Sequence, residues 1–122
     1  MTKILVIEDN EMIQEILSER LLLRNFEIVV AGNGQEGLDK AQQERPDLIL
    51  MDVSLPVLDG LEATRRLRTM ADIQHTPVIA LTAHALAEDR DNCLAAGCND
   101  FETKPINFTS LIKKITALVG AA

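Results

Sequence analysis

Tryptophan and tyrosine are absent from this 122-residue chain, and phenylalanine occurs three times, at Phe26, Phe101 and Phe108. Single-stranded nucleic acid is held by stacking its bases on aromatic rings, so a chain this poor in rings offers no such platform. Positive charge is scarce too. Twelve Lys and Arg stand against 19 Asp and Glu, for a net charge of −7. Nucleic-acid binders carry a basic face or arm. The densest basic stretch here, Arg65, Arg66 and Arg68, reads as a solvated helix face. Nucleic acid is therefore not an expected partner. Long apolar runs are missing as well. None approaches the ~20 residues of a membrane span, and Ile4 to Ile7 stop at Glu8, too short for a secretory signal. Cysteine is limited to Cys93 and Cys98, and no second Cys or His pair completes a zinc site, since His75 and His84 lie too far apart. Both read as buried small hydrophobes in a reducing compartment. The expectation is a cytoplasmic protein with no membrane partner.

What is present is enough apolar material for one core: 47% hydrophobic and 25% charged residues. Five β-branched or aliphatic runs recur, at Lys3–Ile7, Glu27–Ala31, Leu48–Asp52, Pro77–Thr82 and Asp100–Thr103. All but the last are nearly continuous in apolar character, which suits strands buried on both faces of a parallel sheet. Helical stripes fill the gaps. Ile13, Ile16, Leu17 and Leu21 form one, after an Asn10 cap. Leu111, Ile112, Ile115, Leu118 and Val119 form another, after an Asn107 cap, with Lys113 and Lys114 outside and Gly120 as stop. Asn33-Gly34 opens a helix running to about Glu44, and Leu61 to about Met70 is the next. A fourth, about Ala85 to Ala96, has a charged middle and few large apolar residues, so it is expected to be the most loosely held. The order βαβαβαβαβα predicts a doubly wound α/β fold, a five-stranded parallel sheet of order 2-1-3-4-5, flavodoxin-like, filling residues 1–122 as one domain.

The polar residues collect at one edge of that sheet. Glu8 and Asp9 end strand 1, Asp52 ends strand 3, Thr82 ends strand 4 and Lys104 ends strand 5. Open α/β sheets bind ligands at this carboxyl edge, where strand order reverses. Strands lie ~4.8 Å apart, so Asp9 and Asp52 become neighbours and a lysine side chain spans the rest. Crowded carboxylates repel unless a cation neutralises them. With oxygen donors alone, Mg²⁺ is the fitting ion, with Mn²⁺ as a substitute. A metal, a lysine and a threonine hydroxyl around a carboxylate can receive a phosphoryl group as an aspartyl phosphate.

At this point the chain resembles the receiver domain of a two-component response regulator, from Lys3 to Val119. The markers are VIEDN (6–10), LILMDVSLPVLDG (48–60), PVIALTAHA (77–85) and FETKP (101–105). The resemblance implies that Asp52 is the phosphoacceptor. Glu8 and Asp9 become the acidic pair that holds Mg²⁺ together with Asp52 and the Ser54 backbone carbonyl. Thr82 becomes the switch hydroxyl, Lys104 the phosphoryl-binding lysine and Phe101 the switch aromatic. It also implies a cis Lys104-Pro105 bond. Phe101 lacks the hydroxyl many relatives carry, so a rotamer switch here is expected to rest on packing alone. The implied donor is a sensor histidine kinase or a histidine phosphotransfer protein. The implied output is a downstream protein met through the fourth helix, fifth strand and fifth helix. Apart from catalysing its own phosphorylation and dephosphorylation, such a protein is not an enzyme.

Plainer readings stand beside these. Asp9 can serve only as a helix cap, Asp52 as a strand-end turn residue, Thr82 as a strand former and Lys104 as a loop charge. Asp59-Gly60 reads as a turn, His75 as exposed, and Phe26 and Phe108 as core or helix flank. His84, two positions after Thr82, either tunes dephosphorylation, as the position of Ser54 does in relatives, or lies passive on the surface. The pattern begins two residues into the chain, and a standalone regulator with no output domain is expected. The alternative is a receiver from a hybrid histidine kinase, whose receivers often carry wording like PVIALTAHA. An aspartate-nucleophile phosphohydrolase is disfavoured, because Ser54 stands where its second Asp belongs. A pseudo-receiver that never takes phosphate is disfavoured by the complete site.

Overall fold

The computed structural model describes residues 1–83 and 86–120. Its elements run β1 (Lys3–Ile7), α1 (Glu11–Leu22), β2 (Glu27–Ala31), α2 (Gly34–Glu44), β3 (Leu48–Asp52), α3 (Gly60–Leu67), β4 (Val78–Thr82), α4 (Ala87–Ala96), β5 (Asp100–Thr103) and α5 (Phe108–Val119). All strand pairs are parallel, in the order β2-β1-β3-β4-β5. This is the flavodoxin-like order expected from the sequence.

The continuous apolar runs now have a physical reason. Side chains alternate between sheet faces, and both faces are covered. Ile4, Val6, Leu50, Ile79 and Leu81 join Leu17 and Leu21 of α1 and Leu111 and Ile115 of α5. Leu5, Ile7, Ile49, Met51, Val78 and Ala80 join Leu38, Ala63, Leu67 and Cys93 from α2, α3 and α4. β2 departs from the expectation. It is an edge strand, and its first four residues are exposed or only half-buried.

The caps follow their residue types. Asn10, Asn33 and Asn107 each accept a backbone N–H three residues on, at 3.1, 2.8 and 3.0 Å, as N-cap carboxamides do. Gly120, with φ of 86°, ends α5. Ile16 differs from its predicted place in the α1 stripe and is 44% exposed.

α3 stops at Leu67, three residues before the expected Met70. Thr69 and Met70 bond three residues back, to Arg66 and Leu67, so the chain continues as a tighter turn. Arg68 also corrects the expectation of a solvated basic face. Arg65 and Arg66 do pair with Glu62 at the surface. Arg68 instead turns inward and donates to the carbonyls of Gly97, Gln74 and Thr76 and to Asn99 Oδ1, at 2.6–3.0 Å. It clasps the C-terminal end of α4 to the loop before β4.

α4 is thinly anchored, as its composition implies. Only Cys93 and Ala96 are buried in it. At ~25 cal/mol per Å² such small side chains hold it by a few kcal/mol. Cys93 and Cys98 are free thiols in the core, and burial pushes both above the ordinary thiol range, Cys98 to about 11. They are unreactive packing residues.

Candidate metal centre at the carboxyl edge

β1 and β3 are neighbours paired as far as Ile7 and Met51, so the next residue of each strand, Glu8 and Asp52, arrives at the same level. Glu8 extends the ladder by donating its N–H to Ala31 at 3.0 Å. Its carboxylate is 1% exposed. One oxygen accepts from Lys104 Nζ at 2.8 Å and the other from the Asn10 N–H at 3.1 Å. Gln14 of α1 donates its amide to the Glu8 carbonyl. Asp9, next along, is exposed.

Asp52 is 4% exposed. Its Oδ1 accepts the Ser54 N–H at 3.1 Å, and its Oδ2 lies 3.3 Å from Lys104 Nζ. Two glycines let the following loop close over it. A Cβ on Gly60 would sit 2.1 Å from the Asp52 carbonyl oxygen, and one on Gly34 2.0 Å from that of Leu58. Ser54 lies exposed at the mouth of this loop.

Thr82 is buried at the end of β4, and its carbonyl accepts the Lys104 N–H at 2.8 Å. That bond carries the chain past the site at the height of the acids. The Lys104-Pro105 bond is cis, as the resemblance implies. Lys104 then reaches back across two strands to both buried carboxylates. Phe101 is not among them. Its half-buried ring lies toward α4 and α5.

Glu8, Asp9 and Asp52 can each offer one oxygen, and these three oxygens lie within 4.8 Å of one another. Among the described residues one ammonium faces Glu8 and Asp52, which leaves this corner short of positive charge. Oxygen donors at this spacing fit a hard divalent cation such as Mg²⁺.

Burial pushes the Glu8 carboxyl up to about 7, against the pull of Lys104, and Asp52 adds to the push. Burial also works against the Lys104 ammonium, but Glu8 and Asp52 outweigh it and its pKa is raised. Folded Glu8 holds its proton more tightly than the ordinary 4.5 allows. Its contribution is full below about 4.5 and is lost as pH rises through about 7. Glu8→Gln removes this dependence. In metal-free buffer the variant should gain on the wild type by ~1–3 kcal/mol between pH 5 and pH 8. Denaturant melts at the two pH values check it, and a pH-independent difference would contradict it.

Several residues of consequence were not legible in the sequence. Lys114 lies on the polar face of the α5 pattern, yet it folds back onto Glu102 and the Phe101 carbonyl. Glu102 is buried beside it. An apolar groove of about 310 Å³ runs beside Lys104, lined by Ile13, Ile16, Leu17, Pro105, Ile106 and Phe108. Its sequence signal was the apolar excess of α1, where Met12 is 70% exposed. His75 is exposed, as expected. His84 and Ala85 lie outside the described residues.

The geometry agrees with what the chain is similar to. The response regulator receiver domain family matches residues 4–116. The polar-differentiation response regulator DivK of Brucella anthropi is 37% identical over 119 residues, covering 98% of this chain and 97% of the relative. The receiver domain of a Pseudomonas aeruginosa sensor histidine kinase, crystallised with a magnesium ion coordinated in its active-site cleft, is 38% identical. Its TM-score is 0.91, with 98% of each chain covered. A chain in the co-crystal structure of the Saccharomyces cerevisiae histidine phosphotransfer protein Ypd1 and the Ssk1 receiver domain is 35% identical. Its TM-score is 0.90, covering 96% of this chain and 88% of that one. The chain belongs to the response regulator receiver domains of two-component signalling.

Proposed function

We propose that this receiver takes a phosphoryl group onto Asp52 and signals through the change in charge. The observation that carries the reading is the reach of Lys104, 2.8 Å from Glu8 and 3.3 Å from Asp52, inside a cluster of three acids. A lysine held there can balance phosphoryl oxygens once the Asp52 carboxylate is phosphorylated.

In the transfer, an Asp52 oxygen attacks the phosphorus of a phosphohistidine. A P–O bond forms, the P–N bond breaks, and the imidazole leaves with its electron pair and takes a proton. Glu8, Asp9, Asp52 and the Ser54 carbonyl would hold Mg²⁺, with Mn²⁺ able to substitute. Bound there, the ion supplies charge neutralisation to carboxylates and phosphoryl oxygens alike. The magnesium in the cleft of the Pseudomonas relative supports this assignment. Thr82 donates its hydroxyl to the phosphoryl group and passes the change to α4.

The donor is a sensor histidine kinase or a histidine phosphotransfer protein, as the Ypd1 complex supports. It docks against the apolar groove of α1, whose wall includes Lys104 itself. The output is a downstream protein met through α4, β5 and α5. Two free buried thiols suit work in the cytoplasm, and among the described residues no helix is long and apolar enough to cross a membrane.

Incubation with acetyl phosphate, with and without EDTA, tests the reading by the mass of the intact protein. Phosphorylation should appear with Mg²⁺ and be lost with the chelator. Equal labelling in both would overturn the metal's part. Intrinsic Trp fluorescence is no readout, because the chain has no Trp.

A further inference from the structure

β5 is an edge strand, paired among the described residues with β4 alone. Edge strands leave backbone carbonyls open, and here one of them is taken. Lys114 Nζ of α5 donates to the Phe101 carbonyl at 2.6 Å. The same ammonium donates to Glu102 Oε2 at 2.9 Å, a buried carboxylate that also accepts Ser110 Oγ at 3.0 Å. It lies 5.4 Å from the centroid of the Phe101 ring. Lys114 therefore wraps the free edge of the strand and touches two residues that alternate across it. From α4, the Arg90 guanidinium carbon lies 5.7 Å from the same centroid. The half-buried ring is flanked by a cation from each neighbouring helix.

A phenylalanine has no hydroxyl to anchor it, so packing and the attraction of cations for its face set its position. Packing alone, the expectation from the sequence, omits the second of these. Each such contact at an exposed site is worth about two- to fivefold in an equilibrium.

We propose that Arg90 and Lys114 are positioning residues that hold the Phe101 ring at the α4–α5 edge and so set how readily loading of Asp52 turns the switch. The inference rests on the reading of Asp52 and Phe101 given above. By linkage, whatever stabilises the resting ring opposes the ligand that favours the turned ring, by the same factor. Removing a cation therefore raises the affinity of the acidic site for a phosphoryl mimic, although neither residue touches that site.

The full chain labelled with 4-fluorophenylalanine gives three fluorine resonances, one for each Phe, and Phe101→Leu assigns the relevant one. Titration with beryllofluoride in Mg²⁺ gives a half-saturating concentration. Arg90→Met, an exposed change, should lower it about two- to fivefold. It should also move the ligand-free Phe101 resonance toward its loaded position. The double variant Lys114→Met with Glu102→Gln, which leaves no carboxylate buried and unpaired, should do the same. Lys114→Arg keeps the cation and should behave as wild type. Unchanged half-saturation and an unmoved Phe101 resonance in both Arg90→Met and the double variant overturn the proposal. A wild-type chain without any Mg²⁺-dependent response overturns the reading of the acidic site, and this inference with it.

Discussion

Asp52→Asn should abolish hydroxylamine-sensitive phosphate uptake while leaving the fold in place. The amide keeps nearly the same shape and cannot attack phosphorus as a carboxylate does. Its effect on stability is the balance of two opposed interactions. Asp52 is repelled by Glu8 and Asp9, whose nearest oxygens lie within 4.8 Å, and attracted by Lys104 at 3.3 Å. Each unit interaction at ~4 Å is about 4 kcal/mol at an effective dielectric of ~20, and they act in opposite directions. Two repulsions outweigh one attraction, so the variant should be as stable as the wild type or slightly more so. Phosphate content after acetyl phosphate treatment and a thermal melt read the two effects separately. A variant that still takes up a full equivalent of phosphate would show that the wrong residue has been assigned.

Lys104→Ala and Thr82→Ala divide the chemistry from the signal. Lys104 is the cation between the two buried carboxylates. Its loss removes charge balance from the transferring group and should slow labelling by roughly a hundredfold, the usual cost of deleting one preorganised donor. Thr82→Ala keeps the backbone bond from Lys104 N–H to the carbonyl of residue 82, so the height of Lys104 is preserved. Labelling should fall far less. What is lost is the hydroxyl to which the proposed function gives the signal. In the wild type, beryllofluoride should alter amide hydrogen exchange most in residues 83–104. In Thr82→Ala that change should shrink toward zero. Equal losses of labelling and of the exchange response in Thr82→Ala would contradict the division, as would an exchange response centred on residues 11–45.

Much of this architecture is legible from residue types alone, because a parallel sheet under helices leaves a strong imprint. Leu48 to Met51 must be apolar at every position when α1 and α5 cover one face and α2, α3 and α4 the other. The acids stand out for the converse reason. Glu8 and Asp52 interrupt such runs at their ends, where the sheet opens to solvent. Cap asparagines announce helices because their side chains act only three residues away.

What was missed depends on partners distant in the chain. Arg68 resembles Arg65 and Arg66 in every local respect. Its inward turn is set by the carbonyl of Gly97, 29 residues on. Lys114 sits on the polar side of the α5 pattern, yet an edge strand with an open carbonyl draws it back. The short α3 and the half-exposed β2 have the same origin, since turn geometry and edge position are properties of the assembled sheet. Ile16 fits the apolar stripe yet lies exposed, because periodicity shows that a face is apolar and not whether anything covers it.

The proposed role of Asp52 depends on where the phosphoryl group goes. Phosphorylation with acetyl phosphate and Mg²⁺, followed by borohydride reduction, converts an aspartyl phosphate into a stable homoserine that peptide mass spectrometry can place. A single converted residue, Asp52, is expected, and none when EDTA is present. Conversion at Glu8, Asp9 or any other carboxylate, or equal conversion without the metal, would contradict it.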